Sequence, residues 1–196
     1  MRPRNGEHGT GEGVLDVIEH PAPEVVSSRA VYENPWISVR EDRVIHTSGE
    51  PGLIGLVTMT DGVTILPIAA DGRVFLVREY KYGLGGPSIE LVSGGLDDGE
   101  APVAAARREL AEELGLTARE WIDCGHVDPF TAIVRCRNHL FIARDLTEGE
   151  AAPEPTEHIE PLVMRFDEAL EMALDGTITH SATCCLLMRA RLRSLA

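Results

Sequence analysis

Residues 94–116 read GGLDDGEAPVAAARRELAEELGL, a glycine-rich turn running into a helix loaded with carboxylates. Pro102 stands where the first helical turn begins, and its missing N–H is a donor that a helix leaves unpaired there anyway. Val103, Ala106, Leu110 and Leu114 recur at helical spacing and predict a buried stripe. Gly115 follows as the stop. The polar faces carry the chemistry. Glu109, Glu112 and Glu113 are related by three and four residues, so they crowd one side of the helix. Like charges so placed repel by roughly a few tenths of a kcal/mol per pair. A divalent cation turns that repulsion into binding. Mg²⁺ takes oxygen ligands, keeps several waters and accepts a few carboxylates together with substrate phosphates. Arg108 lies one turn before Glu112 and can hold that carboxylate in place, and Glu100 can join from the loop.

A helix face rich in Glu and Arg is usually plain solvated surface, and RELAEE alone would be read that way. The spacing around it changes the reading. Gly94, five residues, Glu100, seven residues, then Arg108-Glu109-Leu110-x-Glu112-Glu113-x-Gly115-Leu116 resembles the Nudix box at all nine fixed positions of a 23-residue window. That is far more specific than a lone glycine motif. On these residues the chain resembles a Nudix hydrolase.

Composition narrows the partners. At 196 residues and 43% hydrophobic content, the chain can build one domain with a modest extension. A formal charge of −14 argues against general nucleic-acid binding, which calls for a basic stripe. A small phosphorylated substrate remains compatible, because bound metal supplies the positive charge. No apolar run is long enough to span a membrane, and MRPRNGEHGTGEG lacks the apolar centre of a signal peptide. Cys124, Cys136, Cys184 and Cys185 form no tight framework, and Cys136 with His139 finds no second pair to complete a zinc site. The cytoplasm is the expected compartment.

Along the chain, residues 1–24 read as a flexible tail with one short helical turn near residues 14–18. Residues 28–44 alternate around Asn34-Pro35 and predict two strands joined by a turn. Residues 53–59 are a third strand, and Asp61-Gly62 reads as a hairpin turn. Residues 63–69 and 74–79 are strands flanking Asp71-Gly72, the first apolar enough for an interior position. A short strand at 89–92 leads into the box, and strands at 121–127, 139–143 and 162–166 follow it. Helices are expected at 166–174 and 181–195, the latter with Leu186, Leu187, Ala190 and Leu195 inward. This order predicts an α/β class. The resemblance makes it a Nudix fold, a mixed β-sheet sandwiched between helices with an N-terminal antiparallel strand extension. The expected division is tail 1–24, strand region 25–60 and catalytic domain 61–196.

Outside the box, several stretches resemble the ADP-ribose and nucleoside-diphosphate-sugar pyrophosphatase branch: VYENPWISVREDRV (31–44), VREYKYGLG (77–85), IELVSGG (89–95), HLFIARDL (139–146), EHIEP (157–161) and ITHSATCCLL (178–187). The resemblance implies Mg²⁺ or Mn²⁺ held by Glu109, Glu113, the Ser93 carbonyl and, as ligand or near-ligand, Glu112. It implies Arg108 in the catalytic set and Glu157 as the loop carboxylate that positions or deprotonates water. Arg78 and Glu90 match positions near the substrate, and residues 25–60 match a region that pairs across a homodimer. Some positions depart from the branch. Val92-Ser93 replace a Pro-Ala pair. In the loop beyond the box, Pro129 comes earlier than the branch's marker proline, Thr131-Ala132 replace a Pro-Gly pair, and Val134-Arg135 replace acidic residues. These departures leave the metal chemistry intact and the substrate open: ADP-ribose, a GDP-sugar or another nucleoside-diphosphate sugar. A non-hydrolytic ADP-ribose sensor is the alternative of a different class, although such modules usually lose box carboxylates.

Overall fold

A computed structural model of the chain describes residues 21–153 and 158–196. The helical turn expected near residues 14–18, and Glu157, lie outside the described residues. The first three strands, β1 (Glu24–Glu33), β2 (Ile37–Ile45) and β3 (Pro51–Met59), form an antiparallel meander. The turn between the first two is set by Asn34, whose Oδ1 accepts the N–H groups of Trp36 at 2.9 Å and Ile37 at 2.8 Å. A short polar side chain folding back on the following backbone is a common turn device. It leaves Trp36 73% exposed.

The remaining elements are β4 (Gly62–Pro67), β5 (Arg73–Lys81), β6 (Gly86–Glu90), β7 (Val92–Gly95), α1 (Pro102–Leu114), β8 (Leu116–Val127), β9 (Val134–Arg135), β10 (Asn138–Glu148), β11 (Glu160–Arg165), α2 (Phe166–Leu174) and α3 (Ser181–Leu192). The central sheet has the order β7-β4-β10-β8, with β10 parallel to β4 and the other pairs antiparallel. Side chains on successive residues point to opposite faces. Val63, Ile65, Phe141 and Ala143 therefore meet Ala105, Ala106 and Leu110 of α1. Leu66, Leu140 and Ile142 meet Phe166 and Ala169 of α2 and Leu186, Leu187 and Ala190 of α3. This is the mixed sheet between helices that the sequence predicts. A three-stranded sheet, β11-β5-β6, flanks it, and β9 adds to the edge of β3. No helix among the described residues is long and apolar enough to cross a membrane.

Four expectations need correction. Asp61-Gly62 is not a hairpin turn, because β3 and β4 belong to different sheets. Asp61 instead ties loops together: its Oδ1 accepts Arg137 N–H at 2.8 Å and its carbonyl accepts Leu96 N–H at 2.9 Å. Val103 is 37% exposed, and the buried line of α1 runs through Ala105, Ala106 and Leu110. The last helix stops at Leu192, although Leu195 still packs on the core. Strands β8 and β10 run well beyond the apolar segments that signal them, since pairing from Leu116 to Val127 continues through polar residues.

Candidate active site

The local physics of α1 fixes where its acids point. Pro102 opens the helix, Gly115 closes it in the left-handed region at φ 63°, and the N–H of Gly115 bonds back to Ala111 O at 2.9 Å. Arg108 then organises the polar side. Its Nε and Nη2 grip both oxygens of Glu100 at 3.2 and 2.9 Å, and Nη2 also reaches Gly95 O at 2.9 Å. Its Nη1 donates to Glu109 at 2.7 Å and to Glu112 at 3.1 Å. The planar guanidinium suits this work, because its donors are fixed in a fork. The Glu100 contact, ahead of those from Glu109 and Glu112, raises the pKa of Arg108 against the effect of burial. Arg108, and then the N–H of Asp97, hold the Glu100 carboxyl below its usual value.

Gly94 has a steric reason to be glycine. A Cβ there would stand 2.0 Å from the Glu109 carboxylate. The turn and the helix thus approach closely enough for Glu109 to lie over the β7 backbone. Glu113, on the same helix, is 7% exposed. Ser93 sits on β7, opposite Thr64, with its hydroxyl engaged by Thr64 Oγ1 at 3.0 Å and Leu91 O at 2.8 Å. Glu109 and Glu112, with Gly94, Gly95 and Arg108, line an open cavity of about 330 Å³, and Trp36 forms part of its wall.

The donor set was tested for a metal. Glu109, Glu112 and Glu113 offer only oxygen, which suits a hard divalent cation such as Mg²⁺ rather than a soft one. The cradle over Gly94 accommodates the Glu109 carboxylate and nothing larger. Among the described residues no three acids, histidines or cysteines form a ready-made cage, because Arg108 shares two of the glutamates. The residues fit a cation completed by water and substrate oxygens better than an all-protein site.

The other residues singled out by sequence fall in two places. Arg78 on β5 pairs with Glu160 of β11 at 3.1 Å, on an exposed face. Glu90 on β6 is buried and lies 3.4 Å from His180. By strand alternation Arg78 and Lys81 lie on opposite faces of β5. Lys81 and Trp36 were not singled out by sequence. Lys81 is half-buried and hydrogen-bonded to Glu79. Burial works against its charge, but the Glu79 bond and the fields of Glu90 and Glu113 outweigh that and raise its pKa. A lysine that feels a box glutamate is a positive group beside the acids. The only trace of it in sequence was its place in VREYKYGLG.

Comparison with known proteins agrees with this geometry. The NUDIX domain matches residues 58–183, and the nucleoside diphosphate sugar hydrolase N-terminal domain matches residues 24–53. An ADP-ribose pyrophosphatase of Mycobacterium tuberculosis is 32% identical over 81% of this chain and 78% of its own. A GDP-mannose pyrophosphatase of Cronobacter sakazakii is 34% identical over 62% of this chain and 68% of its own. A solved ADP compounds hydrolase shares the fold with a TM-score of 0.78 at 18% identity, covering 90% of this chain and 97% of that one. With its box helix, its α–β–α layers and both matched domains, the chain belongs to the Nudix hydrolases, on the branch that carries the nucleoside diphosphate sugar hydrolase N-terminal domain.

Proposed function

We propose that the chain hydrolyses the diphosphate bond of ADP-ribose or a related nucleoside-diphosphate sugar, in a reaction dependent on Mg²⁺ or Mn²⁺. The products are a nucleoside monophosphate and a sugar phosphate. The observation that carries this reading is the fan of contacts from Arg108, which sets Glu100, Glu109 and Glu112 around the Gly94-Gly95 turn. Glu109, Glu112, Glu113 and the Ser93 carbonyl would hold the metal, which when bound offsets the charge of the diphosphate oxygens and acidifies water.

The chain's own groups do the rest. Arg108 keeps two of the box glutamates oriented and limits their mutual repulsion. Lys81 offers a half-buried ammonium to phosphate oxygens. Trp36 presents an exposed ring beside the cavity, a surface on which a nucleobase stacks. A carboxylate oxygen of Glu157 or of a box glutamate takes the proton as the oxygen of water bonds to one phosphorus. The bridging P–O bond breaks, and the bridging oxygen leaves with the other phosphate. Four free cysteines suit a reducing cytoplasm. Residues 25–60 are the region we assign to pairing with a second copy.

Product analysis tests the reading. ADP-ribose with Mg²⁺ should give AMP and ribose 5-phosphate, and chelation should stop the reaction. Tight binding of ADP-ribose without cleavage would instead establish a sensor. A second specificity has its own support, since residues 128–135 depart from the branch pattern and a GDP-mannose pyrophosphatase is among the relatives. Faster turnover of GDP-mannose in the same assay would select it.

A further inference from the structure

A second chamber, of about 600 Å³, opens between the β5–β6 hairpin, the loop after β8 and the start of α3. Its walls are largely apolar, from Leu84, Pro129 and Phe130. Its floor is polar: Ser88 and Glu90 are 6% and 7% exposed, and both line the chamber. Among the described residues the Glu90 carboxylate makes no hydrogen bond. Its neighbour His180 is turned to another partner. Thr183, fully buried, accepts Leu91 N–H at 2.9 Å, and its own proton is then available to His180 Nδ1 at 2.9 Å. That arrangement leaves the imidazole proton on Nε2, so the 3.4 Å between Nδ1 and Glu90 holds no proton. Burial, only partly opposed by Glu90, lowers the pKa of His180 and favours this neutral ring.

The chamber therefore offers apolar walls and an ionised acceptor that lacks a donor. A carboxylate with no proton accepts only. It repels phosphate, so the diphosphate belongs on the Lys81 side, where a positive group lies between Glu90 and Glu113. What the chamber can take is a neutral ring that brings its own donors, and adjacent hydroxyls match the two carboxylate oxygens. Reach also fits. Glu90 is three residues before Ser93, so the two are at most about 11 Å apart along the chain.

Resting on the substrate class proposed above, we infer that the Glu90 chamber is the subsite for the hydroxylated sugar ring beyond the diphosphate, with Glu90 accepting from the ring hydroxyls and Phe130 covering its face. His180 is a positioning residue that keeps Glu90 free to accept.

The test compares ADP-ribose with the methyl ester of ADP, which has the same base and diphosphate but no second ring. The readout is the ratio of their kcat/KM values, in the full chain and in two variants. Glu90→Gln keeps the shape but loses the charge, and should lower the ratio by about 10- to 100-fold, the scale of charge-assisted hydrogen bonds. Phe130→Ala, at an exposed position that leaves folding alone, should lower it several-fold. An unchanged ratio in both variants overturns the assignment while leaving the hydrolase reading intact. If Glu90→Gln does not fold, Phe130→Ala decides by the same criterion. A change in preference between ADP- and GDP-linked sugars at a constant sugar-to-methyl ratio would place the base in the chamber and overturn the proposal. Failure of the parent chain to cleave either ester would remove the substrate class, and this subsite with it.

Discussion

At the scale of single residues, the site rests on groups whose roles separate by measurement. Glu113 is nearly buried on the box helix. Glu113→Gln preserves its volume and removes the negative charge, so turnover should fall by about 10²–10³-fold, the scale of losing one electrostatic stabiliser. Far-UV circular dichroism should be unchanged. Near-normal turnover would remove Glu113 from the working set. Gly94 makes a sharper case. Its missing Cβ leaves room for the Glu109 carboxylate, the end of a flexible side chain, and not for backbone. Gly94→Ala should therefore move Glu109 and reduce activity at least as strongly as a mild ligand defect, about tenfold or more. The unfolding midpoint should shift little. A large drop in that midpoint with normal specific activity in the folded fraction would show that Gly94 serves the turn and not the acid.

At the scale of elements, α1 was the most legible part of the chain. Its signals are local: proline in the first turn, glycine after the last, and apolar residues at helical spacing. Asn34 was equally readable, since its turn depends on side-chain bonds to residues two and three positions on. Asp61-Gly62 misled for the opposite reason. The dipeptide marks a hairpin only if the flanking strands pair with each other, and β4 pairs with β7 and β10. Lys81, Trp36 and His180 were hidden in the same way, because each reaches the site across a long stretch of sequence. Gly115 shows how much one element end can hold. Besides its left-handed φ, a Cβ there would lie 2.6–2.8 Å from the backbone of residues 149–151. That segment is tied to the helix end by Gly149 N–H to Gly115 O at 2.7 Å and Ala152 N–H to Glu112 O at 3.0 Å. Gly115→Ala should destabilise by about 1–3 kcal/mol, combining left-handed strain with a backbone collision that cannot relax by rotamer. In a chain of this size, each kcal/mol lowers the midpoint by roughly 2–4 °C. A midpoint within one degree of the parent would mean that the segment after β10 gives way freely.

At the scale of the whole molecule, burial is uneven. The central sheet is covered by helices on both faces, whereas every residue of β1 is exposed. That strand and its neighbours leave Val25, Val31, Tyr32 and Leu53 open to solvent. Contiguous exposed apolar surface usually marks an interface, and a sheet edge invites pairing with another chain. The sign of the charge matters too: a chain at −14 repels its copies at long range, so association must come from apolar contact and should strengthen as salt screens the repulsion. The expected particle in sedimentation velocity at micromolar concentration has twice the mass of one chain. Replacing Val31 and Leu53 with Glu adds charge to that face without touching the buried core, and should yield single chains. If the parent chain sediments as a monomer at every salt concentration, the meander needs another explanation. If it is a dimer that survives both substitutions, the contact lies elsewhere. Trp36 stands on the same meander and at the cavity wall, so the variant's KM separates two arrangements. A rise in KM on dissociation would tie the aromatic wall to the partnered state; an unchanged KM would mean that each chain builds its cavity alone.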